Sequence, residues 1–111
     1  MMDVTIRDEG DTKVVVLQGK LDTNTTPDVE SAINSLLDDG VNNLLINFEN
    51  LSYISSAGLR LLLATAKHME GSGGDLRVCS LNEMATEVFE LSGFTAIIDV
   101  YASEQEALGG A

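Results

Sequence analysis

The stretch Leu51–Leu63 reads LSYISSAGLRLLL, and it joins an extended apolar run to a helical pattern. The run that leads into it, NNLLINFENL, is nearly continuous in apolar residues and predicts a buried β-strand. Beyond the junction, apolar residues recur at the helical spacing i, i+3, i+4 and i+7: Leu59, Leu62, Leu63 and Ala66. The junction itself holds Ser55, Ser56 and Gly58, although a single small polar residue is enough to cap a helix. The second serine therefore needs an explanation.

Strands and helices alternate along the rest of the chain. DVTIRDEGDTKVVVLQGKLD predicts two strands joined by a turn at DEGD, and the second strand is apolar enough to be buried on both faces. TPDVESAINSLLDDG predicts a helix that ends at Gly40, DLRVCSL predicts a strand, and NEMATEVFELSGF predicts a helix capped by Asn82 and ended near Gly93. AIIDVY predicts a short strand, and SEQEALGGA predicts a short helix that frays into a tail.

The predicted order is therefore β-β-α-β-α-β-α-β-α. The two N-terminal strands can pair as a hairpin, whereas the later strands are joined by helical crossovers, which favour parallel pairing. We predict a single α/β domain over residues 1–111, with a mixed, largely parallel sheet of about five strands and four helices.

The charge of the chain narrows the class of partner. The 111 residues include 18 acidic and 6 basic ones, for a formal net charge of −12. Nucleic acids and anionic membranes are bound by clustered Lys and Arg, so neither is an expected partner. A protein partner with a basic face fits this charge, but so does an acidic surface that only maintains solubility. No apolar run approaches the roughly 18 residues of a membrane span, and the acidic N-terminal residues do not resemble a signal peptide, so we expect a cytoplasmic protein.

Catalytic, metal and cofactor sites are not predicted. The chain has one histidine, His68, and one cysteine, Cys79, which are too few for a zinc site of the usual composition. Cys79 lies in a predicted buried strand, where a cysteine packs as a small apolar residue. His68 follows Ser56 by twelve residues, roughly 18 Å along a helix, so it cannot act as the base of a triad with Ser56. We therefore predict no enzyme activity and no cofactor.

Helix physics allows two interpretations of the paired serines. Ser56 is well placed to cap the helix, in which case Ser55 is incidental. Alternatively, a serine at the start of a helix is a suitable phosphoacceptor, because a phosphate adds about −1.5 to −2 charges that the positive end of the helix tolerates. Ala57 and Gly58 carry no bulky side chain, which leaves room for a kinase or a partner to approach.

A family resemblance bears on this choice. NLLINFENLSYISSAGLRLLLATAK closely resembles the central motif of the STAS family, and in particular the anti-sigma factor antagonists of bacteria. VVVLQGKLDTNT is similar to the second strand of that family and its Gly-x-Leu-Asp loop. GGDLRVCSLNEMATEVFELSGF is similar to its last parallel strand and the helix that follows, and YASEQEAL resembles its closing segment. The resemblance covers nearly the whole chain.

This resemblance implies a partner-switching regulator that is a monomer when free. Such antagonists bind an anti-sigma factor that is also a serine kinase, and the binding releases a sigma factor. The kinase phosphorylates the serine two positions before the motif glycine, here Ser56 before Gly58, and the phosphorylated antagonist dissociates until a serine phosphatase resets it. The family often has Asp at the position of Ser55, so Ser55 is an alternative phosphoacceptor.

The resemblance also implies a partner surface. Asp22, Thr23 and Asn24 lie on the loop beside the phosphorylated serine, although loop polarity and capping would equally account for them. The remaining predicted contacts belong to the junction: Ser55, Ser56, Ala57, Gly58 and Arg60. Periodicity places Leu59 in the core and points Arg60 outward, toward the partner or the phosphate. The alternative function is a constitutive STAS adaptor subunit in a signalling or membrane-lipid transport complex without a phosphorylation switch, which the absence of Asp at position 55 favours.

Overall fold

The computed structural model describes residues 2–109 and has the predicted order of elements. Met1, Gly110 and Ala111 lie outside the described residues, and the end of the predicted C-terminal tail lies there with them. A 3-10 turn at Phe94–Ala96 precedes the last strand. The strands and helices are β1 Asp3–Glu9, β2 Thr12–Leu21, α1 Thr26–Asp38, β3 Asn43–Ile54, α2 Ser56–Gly71, β4 Asp75–Cys79, α3 Glu83–Ser92, β5 Asp99–Tyr101 and α4 Glu104–Ala107.

The five strands form one sheet in the order β1-β2-β3-β4-β5, which confirms the predicted mixed sheet. β1 pairs with β2 as an antiparallel hairpin, and the other neighbours are parallel. Parallel strands bring their carboxyl ends to the same edge of a sheet. Leu21 at the end of β2 therefore lies in register with Ile54 at the end of β3. The segments that follow these two residues start side by side.

The main core fills the space between one face of the sheet and the three longer helices. Alternate residues of β2 and β3, such as Val15 and Ile46, are fully buried on this face. Phe48 and Phe89 meet edge to face, with their ring centroids 5.9 Å apart. Fully buried residues of the opposite face, including Cys79, form a second cluster under α4: Val14, Leu45, Cys79 and Ala107. Burial on both faces explains why β2 reads as a continuous apolar run.

The buried stripe of α2 differs from the predicted one. Leu59 and Leu63 are only partly buried. The buried positions are Gly58, Leu61, Leu62, Thr65, Ala66 and Met69. The buried face of α2 is therefore rotated about the helix axis relative to the predicted face. Gly58 faces the sheet in the first turn, and a glycine gives no apolar signal in the sequence. Thr65 is buried because its hydroxyl donates to the carbonyl of Leu61 at 2.8 Å.

Helix α4 is fixed to the second face at both ends. Glu104 pairs with the guanidinium of Arg7 and accepts a hydrogen bond from Asn47 Nδ2 at 3.0 Å. At the other end, Arg77 donates to the carbonyl of Ala107. The hydrogen bond from Arg7 is the main cause of the lowered pKa of Glu104, although partial burial opposes it. Polar contacts thus hold this helix in addition to its small apolar cluster.

Replacing Glu104 with Gln is predicted to lower the free energy of unfolding at pH 7 by roughly 0.2–1 kcal/mol, the range for partly exposed ion pairs. Because the folded pKa lies below the ordinary value of 4.5, the carboxylate stabilises the fold above that value. This contribution is lost as the pH falls through the folded pKa. Urea denaturation across a pH series would measure the difference between wild type and variant.

Glu106→Gln is the matched control, since Glu106 lies on the same helix and forms no ion pair with any residue in the range 2–109. A stability difference between wild type and Glu104→Gln that persists unchanged in acid would contradict the assignment.

Candidate functional site

Ser55 caps α2, and the prediction that Ser56 does so was wrong. Ser55 keeps an extended backbone, with φ −93° and ψ 172°, and its Oγ accepts a hydrogen bond from the backbone N–H of Gly58 at 3.2 Å. Its own N–H donates to the carbonyl of Leu21 at 2.8 Å. The point at which the pairing of β2 with β3 ends therefore determines which serine is the cap. Strand β3 ends at Ile54, Ser55 is still extended, and Ser56 is already helical.

Ser56 is the exposed serine of the pair. It is the first residue of α2, and its hydroxyl has no hydrogen-bond partner within residues 2–109. Ser55 is half-buried, and its hydroxyl oxygen already accepts the capping bond. The two serines therefore differ in chemistry: one holds the helix start, and the other presents a free hydroxyl to solvent.

Gly58 is buried in the first turn of α2, and its contact with a partner stays a prediction. A Cβ added at this residue would lie 2.8 Å from Cγ of Leu21 and 3.1 Å from Cγ1 of Ile54. Separations under about 3 Å do not occur between such carbons without rearrangement. The missing side chain thus lets α2 approach the ends of β2 and β3. It does not clear a path for a partner from outside.

The loop after β2 is organised by the side chain of Asp22. Its Oδ1 accepts hydrogen bonds from the backbone N–H groups of Asn24 at 2.9 Å and Thr25 at 3.0 Å. The bond from Thr25 is the main cause of the lowered pKa of Asp22. Thr25 Oγ1 in turn donates to the carbonyl of Lys20 at 2.6 Å. Asp22 therefore shapes the loop, while Thr23 and Asn24 are exposed at its tip.

Leu21 connects this loop to the serine junction, and the sequence analysis did not single it out. Its carbonyl accepts the N–H of Ser55, and its side chain lies against Gly58. Through these two contacts of Leu21, the start of the loop and the junction lie side by side. The sequence feature that could have identified Leu21 is its place in the Gly-x-Leu-Asp segment, where the alternation of β2 puts it on the core side of the sheet.

Three further exposed residues lie on the segments next to Ser56: Arg60, Tyr53 and Lys20. Arg60 lies four residues later on α2 and is exposed, and Ala57 between them is half-buried. Tyr53, with 46% of its surface exposed, lies in register with Lys20, which is also exposed. Neither Tyr53 nor Lys20 was predicted as part of the site. Both sit at the carboxyl edge of the sheet, which only the strand register shows.

Most of the candidate site is exposed surface, as at Asn24, Ser56 and Arg60. A concavity of about 370 Å³ lies at the opposite edge of the sheet, between the β1–β2 turn and the segment before β3. Within residues 2–109, no group of three His, Cys, Asp or Glu side chains is arranged to hold a metal ion. Over the same residues, none of the helices has the length and apolar character needed to span a membrane. His68 lies in the last turn of α2 and Ser56 in the first.

Replacing Gly58 with Ala is predicted to lower the free energy of unfolding by about 1–3 kcal/mol, because the new methyl group collides with Leu21 and Ile54. Gly71→Ala is the control on the same helix, since an added Cβ there has no atom within 4 Å. It should leave stability unchanged or raise it. Urea denaturation followed by circular dichroism distinguishes the two, and equal effects would contradict the packing role of Gly58.

The two serines should differ in their contribution to stability. Ser55→Ala removes the cap and is predicted to cost about 1 kcal/mol. Ser56→Ala removes a hydroxyl without a partner in the described chain and should change the free energy of unfolding by less than about 0.5 kcal/mol. Thermal and urea denaturation of both variants would measure this. The reverse order would show that Ser56 caps the helix in solution.

Comparison with known proteins places this arrangement in a family. A family model of the STAS domain matches residues 3–107. BtrV of Bordetella bronchiseptica, provisionally named an anti-sigma factor antagonist, is 36% identical over 94 residues, or 85% of this chain and 81% of BtrV. The anti-sigma-B factor antagonist of Staphylococcus aureus is 29% identical over 86 residues, or 78% of this chain and 80% of that protein.

A solved structure shares the fold. The Bacillus cell fate determinant SpoIIAA in its phosphorylated form matches with a TM-score of 0.78 and 25% identity, covering 96% of this chain and 97% of SpoIIAA. The family model spans nearly all of the described residues, and the match to BtrV covers most of the chain. This protein therefore belongs to the STAS domain family, and it has relatives named as anti-sigma factor antagonists.

Proposed function

We propose that this protein is an anti-sigma factor antagonist that works by partner switching. In its unmodified form it binds an anti-sigma factor that is also a serine kinase, and a sigma factor is released. The kinase then phosphorylates Ser56, the complex dissociates, and a serine phosphatase restores the unmodified form. The observation that carries this proposal is the exposed Ser56 hydroxyl, which has no bonding partner in the described chain and lies beside the Asp22 loop.

The assignment of the phosphate to Ser56 follows from the difference between the two serines. A kinase needs the hydroxyl to extend into its own active site. Ser56 meets this need without any change in the fold, whereas Ser55 would have to give up its bond to the N–H of Gly58. Loss of that cap would cost stability at the start of α2. We therefore propose Ser56 as the phosphoacceptor and not Ser55.

The expected effect of the phosphate is local. It adds about −1.5 to −2 charges and three acceptor oxygens at the surface. The first turn of α2 accommodates this charge, because the free N–H groups of a helix start favour an anion. A partner packed on the same surface would have to bury the charge or move away. The modification thus leaves the fold intact and removes the partner.

The partner surface is made of two segments. The exposed tip of the loop contributes Thr23 and Asn24, and the junction contributes Ser56, Ala57 and Arg60. The net charge of −12 suits a kinase with a basic face, because opposite charges accelerate encounter. We place this exchange in the cytoplasm, where sigma factors act, and we assign no catalytic activity to the chain.

Binding to the anti-sigma factor kinase of the source cell would test the function. Wild type and Ser56→Ala should both retain the kinase, whereas Ser56→Asp should bind at least about tenfold more weakly, because a charge is placed in the interface. With ATP, the kinase should phosphorylate wild type and Ser55→Ala but not Ser56→Ala, as read by mass spectrometry.

If wild type, Ser56→Ala and Ser56→Asp all retained the same partner equally well, the proposed switch would be contradicted. That result would instead support a constitutive adaptor subunit of a signalling or membrane-lipid transport complex. Phosphate found on residue 55 in the Ser56→Ala protein would contradict the choice of serine and keep the rest of the proposal.

A further inference from the structure

The basic residues of this acidic chain fall into two groups. Within residues 2–109, three of them form ion pairs: Arg7 with Glu9 and Glu104, Lys13 with Asp8, and Arg77 with Asp75. The other three have no acidic partner in the described chain: Lys20, Arg60 and Lys67. Half of the six basic residues are thus without an acidic partner among residues 2–109, although the chain has 18 acidic residues.

Arg60 is the unpaired cation placed to reach Ser56. The two residues are four positions apart in α2, and side chains at this spacing are neighbours on one helix face, with Cβ atoms about 5–6 Å apart. Both are exposed, while Gly58, Leu61 and Leu62 turn toward the core. The Cα–Cβ bonds of a helix tilt toward its N-terminus, so a long side chain at residue 60 leans back over the turn that carries Ser56.

We propose that Arg60 receives the phosphate carried by Ser56, so that phosphorylation converts a free guanidinium into an ion pair within α2. This inference rests on the proposed phosphorylation of Ser56. The planar guanidinium presents paired N–H donors that match phosphate oxygens. Lys67 cannot substitute, because it lies eleven residues from Ser56, roughly 16 Å along the helix axis.

Other charged residues lie on the neighbouring segment that leads from β2 into α1. Lys20 comes from the end of β2, Asp22 from the loop after it, and Asp28 from the first turn of α1. The carboxylate of Asp22 is already bonded to the N–H groups of Asn24 and Thr25. Lys20 is thus the rival cation, and the experiment must separate it from Arg60.

The consequence for the switch is a double change at one surface. The phosphate adds negative charge, and the ion pair removes the free cation of Arg60 from the same place. A partner whose acidic group pairs with Arg60 in the unmodified complex would lose that contact as well as meet the new charge. Two effects of one modification then act in the same direction.

Phosphoserine inserted at position 56 during translation gives the test without any kinase. The second pKa of the phosphate would be measured by phosphorus NMR across roughly pH 4–8 in otherwise wild-type protein and in Arg60→Gln, Lys67→Gln and Lys20→Gln. An adjacent guanidinium favours the dianion, so Arg60→Gln should raise this pKa by about 0.3, the size implied by exposed helical ion pairs. Lys67→Gln and Lys20→Gln should leave it unchanged, and high salt should abolish the shift.

An unchanged phosphate pKa in Arg60→Gln would overturn the proposal, and a shift found only in Lys20→Gln would show that Lys20 receives the phosphate instead. Since residue 60 is exposed, all unphosphorylated variants should unfold at the wild-type temperature, which separates the ion pair from a general structural effect. The titration needs no kinase or partner. A failure here therefore leaves the proposed function standing, and a kinase that ignores Ser56 would leave this result unaffected.

Discussion

Leu21 fixes the position of the junction at Ser55 and Ser56 relative to the end of β2. Its carbonyl accepts the backbone N–H of Ser55, and its side chain occupies the space that any residue larger than glycine would need at position 58. The same residue leads directly into the loop shaped by Asp22. Leu21 therefore joins the strand end, the start of the loop and the start of α2 through one hydrogen bond and one close packing contact.

The two faces of the sheet depend on different forces. One face is covered by α1, α2 and α3, with aromatic and aliphatic side chains packed between them. The other carries only the four-residue helix α4, which a pair of arginines fixes at its ends. These arginines thus have a structural role, and Lys13 has one in the β1–β2 hairpin, where it forms an ion pair with Asp8. Lys20 and Arg60 form no such ion pair within residues 2–109.

Much of this architecture could be predicted from local pattern. The order of strands and helices follows from apolar periodicity and from glycines such as Gly40 and Gly93, which both have positive φ. The capping role of Asn82 was also predicted correctly, with its side chain accepting from the N–H of Ala85 at 2.8 Å. Burial of Cys79 follows from its strand, and burial raises the pKa of its thiol.

Other features depend on contacts that no local pattern contains. Ser55 and Ser56 have equal capping propensity, and only the end of the β2–β3 ladder decides between them. The burial of Gly58 needs the position of Leu21, which is distant in sequence. Likewise, Arg7 and Glu104 stand at opposite ends of the chain, so their ion pair arises only once the sheet has formed.

The cap on Ser55 has a consequence for how this junction evolves. Ser and Asp are both favoured N-caps, so either residue at position 55 would satisfy the same structural need. Ser56 does not cap the helix, and its hydroxyl has no hydrogen-bond partner in the described chain. Folding stability therefore constrains residue 55 more than residue 56. A serine retained at position 56 across divergent homologues would need a reason other than folding.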